Sequence, residues 1–217
     1  MFTIIVPAYN EEKHIGSLIK KLKKYSKNII VVDDGSTDRT FEIAKKQGVI
    51  VIRHIVNLGK GAAMKTGIEK AMELGVKKVI FIDADNQHDP SEIPLFEKKI
   101  RKGYKIVQGV RRFDKSTPYL RKIGNNLISF IFYLLFGKKI EDTQSGYKAI
   151  DLSVYDKIKW KSDDYFVETE ILARAVKNRI KVGQVPIKTI YLDKYKGMSF
   201  FSGLEIGLKI LGLRLII

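Results

Sequence analysis

The sequence predicts an α/β chain built on a mostly parallel, doubly wound sheet with helices on both faces. Three observations point there. Short apolar runs of strand length alternate with segments of helical periodicity. The runs are continuous rather than alternating, as in strands buried on both faces. Each of the early runs ends in a polar cluster, and doubly wound sheets bind ligands beyond the carboxyl ends of their strands.

Thr3 to Val6 is the first strand, closed by Pro7-Ala8-Tyr9-Asn10-Glu11. Asn10 reads as the cap of a helix from Glu11 to Tyr25, with Ile15, Leu18, Ile19 and Leu22 at helical spacing. Ile29 to Val32 is the second strand, ending in Asp33-Asp34-Gly35-Ser36. Ser36 or Thr37 then caps a helix that reaches about Gln47. Val49 to Ile52, the third strand, leads through Asn57-Leu58-Gly59-Lys60-Gly61 into a helix from Ala62 to about Leu74. Val79 to Ile82 is the fourth, followed by Asp83-Ala84-Asp85-Asn86-Gln87 and a helix opened by Pro90 and Ser91. Ile106 to Val110 is the fifth, followed by Arg111 and Arg112.

The second half is less regular. Leu127 to Phe136 is apolar nearly all round, with Arg121 and Lys122 before it and Lys138 and Lys139 after it. It is far short of the ~20 residues that span a bilayer, so it reads as a core helix or an interfacial one. Asp142 to Ile150 reads as a turn and strand. Val182 to Pro186 and Lys188 to Leu192 read as further strands, with Pro186 at a bend or edge. Near the C-terminus Phe201, Leu204, Leu208, Leu211 and Leu215 share one helical stripe, opposite Ser202, Glu205 and Lys209. Such a helix suits a membrane interface, a second subunit or the body of the domain.

Composition narrows the function. With 217 residues the chain can bury one full α/β core. Its formal net charge of +16 attracts phosphates, nucleotides, nucleic acid or an anionic membrane face. No nucleic-acid-binding signature accompanies the charge, so nucleic acid is not an expected partner. Cysteine is absent, which excludes disulfides and thiolate metal sites. No signal peptide and no stretch long enough to cross a bilayer stands out, so a cytoplasmic protein is expected. The first strand lacks a G-x-G-x-x-G turn, and GKGAAMKTG is not a P-loop.

Asp83 and Asp85 carry the chemistry. Alternate residues of an extended chain point the same way, so both carboxylates can face one ligand, with Gln87 adding an amide oxygen. This oxygen set suits Mg²⁺ or Mn²⁺. A lone D-x-D matches by chance often enough, and each other motif alone is a turn, a cap or a solvated charge. Together on one sheet edge, the carboxylates, the glycine-rich helix start and the arginines suit a metal-bound diphosphate.

IIVPAYNEE, VVDDGSTDRT, NLGKGAAMKTG, IDADNQHDP and DTQSGYKAI, in this order, resemble family 2 glycosyltransferases. The chain looks most like the dolichyl-phosphate mannose synthases and related polyprenyl-phosphate glycosyltransferases. The resemblance implies a GT-A nucleotide-diphospho-sugar fold over 1–199, with a nucleotide-sugar-binding half (1–115), an acceptor-side half (116–199) and an appended amphipathic helix (200–217). It implies inverting transfer from GDP-mannose or a UDP-hexose to a polyprenyl or dolichyl phosphate, or alternatively to a sugar hydroxyl. By the same resemblance Pro7, Tyr9, Glu11, Val32 and Asp34 hold the nucleotide. Asp83, Ala84 and Asp85 contact the donor and its metal, Mg²⁺ or Mn²⁺, and Gln87 is a further ligand. Arg111 binds the donor diphosphate or acceptor phosphate. Arg121 faces the acceptor, with Lys122 and Lys196 as additional cations. Asp85, Arg111 and Arg121 are thus the catalytic candidates.

The acceptor decides whether a base is needed. A phosphate monoester has its second pKa at ~6 and arrives ionised. A sugar hydroxyl needs a carboxylate base, and Asp142, Glu168 and Glu170 are the candidates. One departure concerns Gly197-Met198-Ser199-Phe200, where the family often has a cation after the serine; Lys194 or Lys196 can supply it. The expected location is the inner face of the membrane, peripherally bound, with an oligomer compatible with the sequence.

Overall fold

A computed structural model describes residues 2–112, 119–188, 190 and 208–215, with the backbone alone at 119–121. The strands are β1 (Thr3–Ala8), β2 (Ile29–Asp33), β3 (Ile50–Arg53), β4 (Lys78–Phe81), β5 (Ile106–Arg111), β6 (Lys148–Asp151) and β7 (Val182–Ile187). They form one sheet in the order β3-β2-β1-β4-β6-β5-β7. β1 runs parallel to β2 and β4, β2 to β3, and β5 to β7. β6 is antiparallel to both of its neighbours, β4 and β5. Its first residue, Lys148, therefore pairs with Phe81 at the end of β4. The segment leading into β6 arrives at the rim where Asp83 stands, a placement that a plain repeat of parallel units does not foresee.

Side chains alternate across the strands, and each face buries its own core. Ile4, Val6 and Val31 meet α1 (Ile15–Leu22), α2 (Thr40–Lys46) and α4 (Ile93–Arg101) on one side. Ile5, Ile30 and Val32 meet α3 (Lys60–Glu73), α6 (Tyr155–Ile158) and α7 (Val167–Lys177) on the other, together with α5 (Tyr119–Phe136). The periodicity of α1 is realised: Ile15, Leu18, Ile19 and Leu22 are all buried. Each such side chain contributes about 1.5–3 kcal/mol relative to exposure.

Several boundaries differ from expectation for identifiable reasons. α1 starts at Ile15 because Asn10 adopts a left-handed φ of 54° and bridges loops instead of capping. α2 is opened by Asp38, which accepts from the Thr40 amide at 2.9 Å, rather than by Ser36 or Thr37. β7 continues unbroken through Pro186, which an edge strand tolerates, and Lys188 and Ile190 lie outside any strand.

α5 divides its apolar surface. Ile128 and Phe132 are buried, whereas Ile123, Leu127, Phe130 and Leu134 form an exposed stripe, with Leu134 64% exposed. Helix α8 (208–215) settles which of its faces packs on the domain. Ile210 and Leu213 pack into the core with α5 and α7, while Leu208, Leu211 and Leu215 of the expected stripe face outward. Lys209 Nζ lies 2.6 Å from Asp164 Oδ2 and ties α8 to the loop before α7. Phe201, Ser202, Leu204 and Glu205 fall outside the described residues. Among the described residues no helix is long and apolar enough to cross a membrane.

Candidate active site

The loops beyond β1 and β2 are laced together. Asn10 donates its amide to Ser36 Oγ (2.9 Å) and accepts from the Thr37 amide through Oδ1 (2.9 Å). The Glu11 amide donates to Thr40 Oγ1 at 2.7 Å. Asp34, just past β2, accepts from the amides of Leu58 (3.0 Å) and Gly59 (2.8 Å) and meets His54 Nδ1 at 2.7 Å. These bonds fix one wall of a cavity of about 300 Å³ at the carboxyl edge of the sheet. Pro7, Tyr9 and Glu11 line it from β1, Asp34 from β2, Gly59 and Lys60 from α3, Asp83, Ala84 and Asp85 from β4, and Asp164 and Tyr165 from the loop before α7. The Val32 side chain points into the core, wholly buried, and is not among the residues that line the cavity.

The glycines at the start of α3 serve packing. A Cβ on Gly59 would lie 2.3 Å from the Asp163 carbonyl oxygen, and one on Gly61 2.1 Å from that of Ser162. The Gly61 amide donates to the Asp163 carbonyl at 2.7 Å. The α3 N-terminus is thus covered by the 162–163 backbone, and its glycines admit that approach. Gly59 and Lys60 still line the cavity, while the Gly61 amide is taken up by the Asp163 carbonyl.

Lys60 is far from a solvated lysine. Its Nζ lies 2.6 Å from Asp83 Oδ1 and 2.8 Å from Glu168 Oε1. Burial disfavours its charge, but the facing carboxylates of Asp83 and Glu168 outweigh burial and raise its pKa. Asp83 shows the reciprocal balance: burial opposes its charge, and Lys60 with His88 nevertheless holds its pKa far below the ordinary range. His88 Nε2 stands 3.5 Å from Asp83 Oδ2. Glu168 also pairs with Lys148 Nζ, whose side chain is fully buried. There burial depresses the ammonium pKa despite the pull of Glu168. Gly146 leaves room for the cluster, since a Cβ would lie 2.3 Å from Asp83 Oδ2.

Asp85 stands apart. Its Oδ1 accepts from the Gln87 amide at 3.0 Å, and it forms no ion pair among the described residues. Burial, then the neighbouring charge of Asp83, raises its pKa. A divalent cation would relieve that strain on a carboxylate which is already partly desolvated. Mg²⁺ and Mn²⁺ commonly take one or two carboxylates and fill the remaining positions with substrate phosphates and water. Asp85 fits that use. Asp83 is already spoken for by Lys60, and no group of three or more His, Asp or Glu able to hold a metal occurs among the described residues. Of the expected ligands, Asp83 is engaged by Lys60, Asp85 forms no ion pair among the described residues, and half-buried Gln87 stands two residues further along the same loop.

The structure redistributes the other candidates. Arg111 does not line the cavity. Its Nε lies 2.7 Å and its Nη2 3.0 Å from the two Asp142 oxygens, a bidentate pair, and Nη2 reaches Asn125 Oδ1 of α5 at 3.4 Å. Burial works against the Asp142 charge, yet Arg111 outweighs it and lowers the pKa. Asp142 is a counter-ion, unsuited to act as a base. Glu170 is likewise committed: burial opposes its charge, but Ser162 Oγ, the 161 and 162 amides and Arg174 lower its pKa. Glu168 is held by two lysines. Lys122 is exposed on α5. The side chain of Arg121, and Lys194 and Lys196, lie outside the described residues.

Sequence reasoning missed Lys60 and Lys148 as site residues. Lys148 left a signal, as a cation beginning a strand in YKAI, where charge is rarely buried unless paired. Nothing in the sequence pairs it with Glu168.

A family model described as "Glycosyl transferase family 2" matches residues 3–159. An uncharacterized protein of Methanocaldococcus jannaschii is 44% identical, over 96% of this chain and 90% of its own length. The UDP-N-acetylglucosamine–dolichyl-phosphate N-acetylglucosaminyltransferase of Methanococcus voltae is 36% identical, over 98% of this chain and 95% of its own. Glucosyl-3-phosphoglycerate synthase of Mycobacterium tuberculosis, solved with Mn²⁺, UDP-glucose and phosphoglyceric acid, superposes with a TM-score of 0.74 at 20% identity. That match covers 100% of this chain and 79% of the other.

Proposed function

The chain belongs to glycosyl transferase family 2, and on that premise we propose that it moves a hexose from a nucleoside diphosphate to a polyprenyl phosphate. The observation that carries this reading is that the carboxylates offered as general bases are committed to cations, which leaves Asp85 for the metal. Asp83, Asp142, Glu168 and Glu170 each face a cation. Such a site offers a poor general base and favours an acceptor that arrives as an anion, as a phosphate monoester does near neutral pH. The exposed apolar stripe of α5 suits a lipid-borne acceptor, and Arg111 meets the same helix through Asn125. The Methanococcus voltae relative is named for a dolichyl-phosphate acceptor and a UDP-sugar, which favours a UDP-activated donor over GDP-mannose.

In this reading the cavity holds the nucleotide against Pro7, Tyr9 and Asp34. Asp85 binds the divalent ion, which when present supplies Lewis-acid stabilisation of the leaving diphosphate. Asp83, fixed by Lys60, lines the donor side. The acceptor oxygen approaches the anomeric carbon from the face opposite the leaving group, so one displacement inverts the configuration. Arg121, whose side chain lies outside the described residues, is assigned to the acceptor phosphate by the family resemblance, and the apolar outer faces of α5 and α8 rest on the membrane. Titration with UDP, GDP and their sugars in the presence of Mn²⁺ tests the donor side: saturable binding of a uridine diphosphate species supports it. No binding of any nucleoside diphosphate, with or without metal, would remove the basis of the proposal.

A further inference from the structure

Four charges at and behind the cavity wall form a connected chain, with His88 Nε2 3.5 Å from Asp83 Oδ2 at its outer end. Lys148 pairs with Glu168, Glu168 with Lys60, and Lys60 with Asp83. The set joins three parts of the chain that are distant in sequence: the start of α3, the end of β4, and the β6–α7 region. Its inner members are almost inaccessible, at 0% for the Lys148 side chain and 2% for Glu168. Two cations and two carboxylates cancel, so the set is neutral, and Asp85, which forms no ion pair among the described residues, adds a negative charge to this wall. A buried network so well matched is costly to assemble and is strongly disturbed when one member is lost.

We propose that Lys148, Glu168 and Lys60 are positioning residues that neutralise and orient Asp83, so that the charge presented to a divalent cation is that of Asp85. This rests on the donor-site reading above. Glu168 acts at one remove, since it touches Lys60 rather than the cavity's ligand. Lys148 acts at two. The set works as a charge balance: deleting a carboxylate leaves the wall more positive, and deleting the inner lysine leaves it more negative. A merely structural role would give every variant the same sign of effect.

The test is Mn²⁺ affinity at pH 7.5 with saturating UDP present, measured on the full chain by calorimetry or by the electron-spin signal of free Mn²⁺, alongside a thermal melt. Glu168→Gln should weaken Mn²⁺ binding about tenfold, the scale of one unit charge acting on a divalent ion across ~10 Å of partly solvated protein. Lys148→Met should strengthen it by a similar factor. The double variant Lys148→Met/Glu168→Gln restores neutrality and should bind Mn²⁺ within about threefold of the parent, even with an altered melting temperature. If Lys148→Met alone fails to fold, the contrast between Glu168→Gln and the double variant still decides. Affinity unmoved in all variants, or lowered equally in all, would overturn the relay while leaving the donor site intact. A parent protein that binds neither Mn²⁺ nor UDP would instead overturn the donor-site reading, and the relay with it.

Discussion

Replacing Asp142 by alanine separates a counter-ion from a catalytic base. The two Asp142 oxygens receive Arg111 Nε at 2.7 Å and Nη2 at 3.0 Å, and also the amides of Arg111 (3.2 Å) and Gln144 (3.1 Å). Its side chain is 0% exposed and that of Arg111 27%. Breaking a wholly buried pair by removing one partner costs about 3–5 kcal/mol. The partial exposure of Arg111 reduces this to about 2–4 kcal/mol. In a domain of this size each kcal/mol lowers the melting temperature by roughly 2–4 °C, so a fall of about 5–15 °C is expected. Differential scanning calorimetry measures it directly. A fall of less than about 2 °C would refute the calculation. An Asp142→Asn variant that keeps the parent melting temperature but loses all transfer would return Asp142 to acid–base duty.

Asp85→Asn should abolish saturable Mn²⁺ binding and lower transfer by about 10²–10³, a typical loss for one element of leaving-group stabilisation. Its melting temperature should not fall, because an uncompensated, partly desolvated charge is removed; parent-level turnover that still needs metal would displace Asp85 from the site. The raised pKa of Asp85 fixes a sign with pH: the ionised form binds the cation, so Mn²⁺ affinity should decline on acidification at a higher pH than an ordinary carboxylate would produce. A flat profile down to about pH 4 contradicts that assignment. Gly61→Ala forces a methyl group to within 2.1 Å of the Ser162 carbonyl and should cost about 1–3 kcal/mol in urea denaturation. Leu134→Glu on the outer face of α5 should reduce co-sedimentation with anionic vesicles while UDP affinity stays at the parent value. Unchanged sedimentation would detach that stripe from any lipid surface.

The first half of the fold was legible because its signals are local. Continuous runs such as IIVV and VIFI mark buried strands, and the spacing of Ile15, Leu18, Ile19 and Leu22 marks one helix face. The residues gathered at the rim, from Pro7 through Asp85, were legible for the same reason, since each follows a strand in a parallel layout. The insertion of antiparallel β6 between β4 and β5 is a tertiary choice with no local marker, and it brings Lys148 to the rim. The partners of charged groups were illegible too. Nothing in GKG says that the lysine turns inward to Asp83, or in DTQSGYK that the aspartate answers Arg111. The stripe near the C-terminus was legible as a stripe, but not which face would pack. Leucines dominate the outer side, whereas Ile210 and Leu213 pack against the core.

On the proposed reading a sugar passes from a nucleoside diphosphate to a lipid phosphate at a site needing a divalent ion on Asp85. Mass spectrometry of the product formed from a UDP-sugar panel and a polyprenyl phosphate tests it, run with Mg²⁺ or Mn²⁺ and again with excess chelator. The expected product is a hexosyl polyprenyl phosphate joined through a phosphodiester, absent under chelation and restored by added metal. A product formed equally well in chelator, or a sugar joined only to a hydroxyl acceptor, would contradict it.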